Sequence, residues 1–143
     1  MEIRAKYFDA LTTRELFEIL RARSAVFVVE QNCVYQDMDD RDYSSLHIFF
    51  EEDEKVTAYL RVFQKDAETV QIGRVLTVKR GTGLGGKLLS EGIRQAIAAY
   101  HPRRLVLEAQ CYATGFYARE GFRISSEPFM EDGIPHVWMT REL

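Results

Sequence analysis

The sequence predicts a mixed α/β fold with the element order β-α-β-β-β-α-β-α-β-β. Three observations predict it. Two stretches, one opening at Thr12 and one over 84–100, repeat apolar residues at helical spacing. The segments between and after them are short β-branched or apolar runs separated by polar turns. A glycine-rich loop, Arg80-Gly81-Thr82-Gly83-Leu84-Gly85-Gly86, joins a strand-like run to the second helical one.

Taken in order, Ile3–Phe8 forms a first strand. Thr12-x-x-Glu15 is a capping box that opens a helix carrying Leu16, Ile19, Leu20, Arg23, Val26 and Phe27 on one side. Its last part, Ala25-Val26-Phe27-Val28-Val29, is β-branched, so an early end to that helix is expected. Residues 31–45 are polar, rich in aspartate and without a period, and read as a long solvated loop. His47–Glu51, Val56–Phe63 and residues 69–78 are strands separated by Glu52-Asp53-Glu54-Lys55 and Lys65-Asp66-Ala67-Glu68, which suits an antiparallel meander. Leu84, Leu88, Leu89, Ile93, Ala96 and Ile97 set one face of a helix ending before Pro102. Arg104–Gln110 is a strand, Ala113–Arg119 a short helix, and Phe122–Ser126 and His136–Arg141 the last two strands.

The chain has 143 residues, enough for one domain with a substantial core. The expected domain is 1–143. A net charge of −3 gives no electrostatic footprint for nucleic acid. No apolar run approaches the 18 or so residues that cross a bilayer, and Met1-Glu2-Ile3-Arg4 lacks signal-peptide character, so a cytoplasmic location is expected. Cys33 and Cys111 make no C-x-x-C pair and the three histidines lie far apart, so no metal is expected and both thiols are expected to be free.

A glycine loop at a helix N-terminus offers unpaired N–H groups and partial positive charge, which suits a phosphate. Three motifs compete for it. Gly81-x4-Gly86-Lys87 begins like a Walker A loop, but Leu88 stands where Ser or Thr would hold Mg²⁺. Gly81-x-Gly83-x-x-Gly86 fits a dinucleotide fingerprint with Glu108 near the ribose position. Against it, Lys79 and Arg80 separate the strand from Gly81, and too little chain follows for a doubly wound sheet. The third pattern is Arg80-x-x-Gly83-x-Gly85.

Phe116-Tyr117-x-x-x-Gly121-Phe122 follows about one strand later. Together with Arg80-x-x-Gly83-x-Gly85, it resembles the paired motifs of the GNAT superfamily of N-acetyltransferases. Val28-Val29-Glu30-Gln31-Asn32-Cys33, Tyr35-Gln36, Asp39-x-Arg41-Asp42 and Glu131-Asp132-Gly133-Ile134-Pro135-His136 look like its ElaA-type branch. The resemblance covers nearly the whole chain. It implies a mostly antiparallel sheet with one parallel pair splayed at the cofactor site. It also implies acetyl transfer from acetyl-CoA, as co-substrate, to a primary amine on a small molecule or peptide, with Tyr117 as general acid. Arg80, Gly81, Thr82, Gly83, Leu84, Gly85 and Gly86 would take the pyrophosphate. The strand edge Val75–Val78, with Leu76 and Val78, would pair with the peptide-like pantetheine.

The attacking amine must lose a proton to a base. Glu30, Asp39, Asp42, His47, Glu108 and His136 are candidates, and Glu108 and His47 are preferred. The aspartates at 37, 39, 40 and 42 read as solvated, or as an attractor for a cationic amine. Trp138 in the last strand is core or interface, which leaves a homodimer possible. The alternatives are a small NAD-type dinucleotide-binding protein and a non-catalytic acyl-CoA-binding module.

Overall fold

In the computed structural model, which describes residues 1–143, one mixed sheet runs through the chain with strand order β1-β2-β3-β4-β5-β8-β6. The strands are β1 Glu2–Tyr7, β2 Leu46–Glu52, β3 Lys55–Gln64, β4 Thr69–Thr77, β5 Arg104–Gln110, β6 Arg123–Ile124, β7 Phe129–Glu131 and β8 Ile134–Glu142. The helices are α1 Thr13–Arg23, α2 Arg41–Ser44, α3 Leu84–Tyr100 and α4 Thr114–Ala118. Only β4 and β5 pair in parallel; the other ladders are antiparallel. This is the expected mixed fold. It is not the parallel, doubly wound sheet of a dinucleotide domain.

The strand alternation divides the core between two faces. Ile48, Phe50, Leu60, Val62, Ile72, Leu105 and Leu107 meet Leu88, Leu89, Ile93 and Ala96 of α3. Phe49, Tyr59 and Leu76 meet Ile19, Ala22 and Val26 on the other face. The period-two strand pattern and the helical stripe of α3 are therefore two halves of one apolar layer.

The capping box at Thr12 forms as the sequence predicts. The Glu15 N–H donates to Thr12 Oγ1 at 3.1 Å, and the Thr12 N–H donates to Glu15 Oε1 at 2.8 Å. The β-branched end of α1 behaves otherwise than expected. Instead of stopping, the helix widens into a π-helical segment over Ser24–Glu30. The Gln31 N–H reaches Val26 O and the Cys33 N–H reaches Val28 O, both five residues back. The wider turn keeps the backbone bonded where crowded β-branched side chains disfavour an ordinary one, and such turns gather at functional sites.

Residues 31–45 are solvated only in part: Asp39 and Asp40 are exposed as expected. Asp37 and Asp42 are buried, and Arg41–Ser44 closes into the short helix α2. The strand β7, absent from the expected order, pairs with β8 through a turn at Asp132-Gly133, where both residues have positive φ (50° and 77°). Asp-Gly is the residue pair that such a tight hairpin selects.

Two irregularities of β4 shape the site. Arg61 pairs with Gly73 and Tyr59 with Leu76, so Arg74 and Val75 together oppose Leu60. This is a β-bulge, with Arg74 at φ 54°. On its other edge β4 pairs with β5 only from Thr69↔Arg104 to Ile72↔Leu107. Beyond Ile72 the two parallel strands part, and the edge of β4 from Gly73 onward is free.

Candidate active site

A cavity of about 540 Å³ opens where β4 and β5 part. Its walls come from β4 (Gln71–Thr77), from β5 (Leu107, Glu108, Gln110), from α4 (Phe116, Tyr117) and from the π-helical segment with the residues after it. The tip of the β7–β8 hairpin closes one end, and Arg80 and Gly85 stand at the other.

The end at Arg80 and Gly85 begins with the expected glycine loop. Gly81 and Gly83 take left-handed backbone, φ 72° and 76°, which other residues adopt only with strain. Gly83 caps α3 without a side-chain bond of its own, and the one side chain that reaches this end is Thr82, whose hydroxyl accepts from the Leu84 N–H at a long 3.4 Å. A Cβ at Gly81, Gly83 or Gly86 would meet nothing within 4 Å. An open cradle of backbone N–H groups at the start of a 17-residue helix fits an anionic pyrophosphate. Gly85 differs, because its Cβ would lie 3.4 Å from the Phe116 ring. Phe116 thus ties α4 to the loop and carries Tyr117 with it. Of the residues expected to hold the cofactor, Leu76, Arg80 and Gly85 line the cavity. Val78, Gly81, Thr82, Gly83, Leu84 and Gly86 do not line it; Leu84 packs against the core and Gly86 lies in a second hollow with Lys87 and Met1. Arg80 is ion-paired with Glu30, which joins the π-helical segment to the glycine loop.

Tyr117 is half-buried between Phe116 and Phe122, and it lines the cavity. Burial, with Tyr112 adding to it, pushes its phenol well above the usual range. The phenol therefore holds its proton at neutral pH and remains a donor.

Glu108 lines the cavity on β5. Its position follows from register. Leu107 is the last β5 residue paired with β4, so Glu108 stands where the two strands begin to part. Gly73, one past the paired Ile72 and itself paired with Arg61 on the other side, leaves open floor there, with nothing within 4 Å of a Cβ placed on it. Burial first, then the neighbouring Glu131 carboxyl, push the Glu108 carboxyl up to about 7. A carboxyl near neutrality is a competent general base. His136 completes this end. Its Nδ1–H donates to Ile134 O at 2.7 Å, which leaves Nε2 facing Glu131 at 3.9 Å.

His47, the other preferred base, is elsewhere. It is 1% exposed and does not line the cavity. Its Nε2–H donates to the Asp42 carbonyl at 2.9 Å and its Nδ1 accepts from the Tyr59 hydroxyl at 2.7 Å. Burial lowers its pKa, so it is a neutral, fully bonded core residue. Asp39 and Asp42 are likewise engaged. Arg61 Nη1 bonds Asp39 at 2.7 Å and Asp42 at 2.9 Å, Arg23 holds Asp37 and Asp42, and Arg74 Nε lies 2.9 Å from Asp37. The expected attraction of a cationic amine by these aspartates meets a physical obstacle: three arginines already neutralise them. Asp40 remains exposed.

The sequence missed Arg61, Arg74 and Glu131. The arginines gave no signal because only the bulge and the buried loop bring them together. Glu131 had one, the Asp-Gly turn that folds it back onto β8. No group of three or more His, Cys, Asp or Glu residues is placed to hold a metal ion.

Comparison with known proteins decides the family. The model of the acetyltransferase (GNAT) domain matches residues 12–143. The chain belongs to the GNAT acetyltransferase family. Within it, the chain is 37% identical to protein ElaA of Escherichia coli over 96% of this chain and 94% of that one. It is also 37% identical to a UPF0039 protein of Schizosaccharomyces pombe, over 100% and 98% of the two chains. The crystal structure of Escherichia coli ElaA superposes with a TM-score of 0.93 at 35% identity, covering 99% of this chain and 100% of that one. That of an acyl-CoA N-acyltransferase from Pseudomonas aeruginosa does so with a TM-score of 0.93 at 34% identity, covering 99% of each. The GNAT fold alone reaches further, to an acetyltransferase of Elizabethkingia anophelis solved with acetyl-CoA bound (TM-score 0.67, 21% identity, covering 99% of this chain and 98% of that one). For this GNAT chain, the parted β4–β5 pair and the glycine loop of α3 are the elements around which the cavity is built. No helix is long and apolar enough to cross a membrane.

Proposed function

We propose that the chain is an acetyl-CoA-dependent N-acetyltransferase acting on a primary amine, with residues 1–143 working as one catalytic domain. One observation carries the reading: Tyr117 and Glu108, from α4 and β5, face a single cavity that opens under the glycine loop of α3.

Acetyl-CoA supplies the activated acyl group when bound. The N–H groups from Thr82 to Gly86 and the start of α3 hold its pyrophosphate, with Arg80 released from Glu30 to join them. The free edge of β4 after Gly73, unpaired because β5 has parted, takes the pantetheine arm as an added strand. Glu108 accepts the proton that the acceptor's ammonium must lose, directly or through one water. Tyr117 gives its proton to the departing sulfur, and burial keeps that proton in place until then. Binding both reactants in line contributes the remainder of the rate.

The test is CoA release, followed in a panel of primary amines with acetyl-CoA, beside direct binding of acetyl-CoA and of NAD. Turnover with at least one amine supports transfer. Binding of acetyl-CoA without turnover on any amine would leave a binding module, and NAD binding without acetyl-CoA binding would overturn the reading.

A further inference from the structure

We propose that the acceptor is a compact amine bearing a second positive charge, a diamine rather than an amino acid, selected by Glu131 together with Glu108. This rests on the transfer reading above and names its substrate class.

The argument is a charge inventory of the acceptor end of the cavity. Three arginines are near it, and none has charge to spare for a carboxylate. Arg23 lies between Asp37 and Asp42, Arg61 between Asp39 and Asp42, and Arg74 on Asp37 and Asp39. The cluster holds three guanidiniums and three carboxylates. The features that most favour an anionic ligand are the buried Nε atoms of Arg61 and Arg74, neither with a hydrogen-bond partner. Each belongs, however, to a guanidinium already paired with two carboxylates, and Arg74 Nε lies 2.9 Å from Asp37. Arg80, the other cation of the lining, stands at the cofactor end.

What remains among the lining residues of the acceptor end is acidic or neutral; Lys65 acts on Glu108 from outside the lining, with its ammonium over the Trp138 ring. Glu108, Glu131 and Asp132 line that end, and the nearest imidazole, His136, keeps its Nδ1–H on Ile134 O. Two carboxyls as close as Glu108 and Glu131 repel when both ionise, and one ammonium between them leaves a net negative charge. A second ammonium on the same molecule removes it, whereas a carboxylate there adds to it. Glu108 sits deep on β5 beside the open floor at Gly73, while Glu131 sits on the hairpin with its side chain 45% exposed. The two therefore read different parts of one ligand: Glu108 the reacting nitrogen, Glu131 the far end.

Three four-carbon amines that differ only at the far end test this: diaminobutane, butylamine and aminobutanoate. With saturating acetyl-CoA, kcat/KM is expected to fall in that order by about tenfold at each step, the effect of one near charge in a partly screened site. The spread should narrow as salt is raised. Glu131→Gln should bring diaminobutane and butylamine to within about threefold of each other while acetyl-CoA affinity stays unchanged, a pattern that a merely structural role would not give. Aminobutanoate turned over as well as diaminobutane, or an unchanged preference in Glu131→Gln, would overturn the proposal and leave acetyl transfer standing. If no amine releases CoA, transfer itself fails. Calorimetric binding of the same three amines to the CoA-loaded protein then reads the selectivity alone, with the same order expected and any other order refuting it.

Discussion

The guanidinium of Arg23 lies between two aspartates of the following loop, with Nε 2.8 Å from Asp37 and Nη1 2.7 Å from Asp42. Arg23 is 1% exposed and ends α1, so this contact fastens residues 31–45 to the helix layer. Burial alone would raise the Asp42 carboxyl, but Arg23 and Arg61 more than reverse it and hold it down to about 2. The lowered value means that Asp42 stabilises the fold fully above its ordinary value of 3.8 and loses that contribution as pH falls toward 2. Asp42→Asn removes the charge that two buried guanidiniums share, leaving Arg23 with Asp37 alone and Arg61 with Asp39 alone, and should cost about 3 kcal/mol at pH 7 in urea unfolding. The difference from wild type should shrink below pH 3.8. A variant as stable as wild type at pH 7 would show that the network is not closed as described.

Tyr117→Phe removes one hydroxyl and leaves the packing of α4 in place. We expect kcat to fall by about a hundredfold, with the Kd for acetyl-CoA unchanged. An unaltered kcat would remove Tyr117 from the proton path.

Glu108 must be ionised to accept a proton. With its carboxyl pushed up to about 7, kcat/KM should rise through neutrality and level off above it. Glu108→Gln should lose both the rate and this limb of the profile. The same shift has a stability consequence of known sign. A raised carboxyl stabilises the fold below its ordinary 4.5, and that contribution is lost as pH rises toward 7. The groups facing Glu108 (Glu131, Lys65 and Arg74) act on it throughout that range. Glu108→Gln should therefore be more heat-stable than wild type above pH 7. A lower melting temperature there would contradict the burial assigned to this carboxyl.

Gly83→Asp places a side chain where φ is 76° and adds a negative charge at the start of α3. Acetyl-CoA binding, read by calorimetry, should be abolished while the protein stays folded. Gly83→Ala separates the two causes: it carries only the backbone strain, about 1–2 kcal/mol, and should weaken binding without removing it.

Gly92 lies where α3 presses on β3. A Cβ there would come 2.6 Å from Leu60 Cδ2 and 2.9 Å from Cδ1. Gly92→Ala gains helix propensity but forces α3 off the sheet, and a net loss of about 1–3 kcal/mol in thermal or urea unfolding is expected. No loss would mean that Leu60 repacks freely in this layer.

The sequence was most readable where one local rule governed one element. The capping box at Thr12, the stripe of α3 and the meander of β2, β3 and β4 each follow from the spacing of apolar residues. The glycine loop and Tyr117 were readable as motifs. What escaped depended on contacts far apart in the chain. Asp37 and Asp42 look solvated because aspartates usually are; only Arg23, Arg61 and Arg74, from α1, β3 and β4, reverse that. His47 and Glu108 are both polar residues in apolar strands, and periodicity cannot distinguish a strand position inside a bonded core from one beside a cleft. The π-helical turn at Ser24–Glu30 arises from side-chain crowding that predicted an end rather than a widening.

β5 owes its place on the free side of the cleft to β8, which pairs with it along its whole length from Arg104↔Glu142 to Gln110↔His136. In order of synthesis this support arrives after the glycine loop, Glu108 and Tyr117. A nascent chain presents its glycine loop, Glu108 and Tyr117 to the cell before it owns the strand that holds Glu108 in position. Such a chain has the motifs of an acetyltransferase without the second wall of its cleft. The second wall of the cleft is thereby coupled to the pairing of β8 with β5.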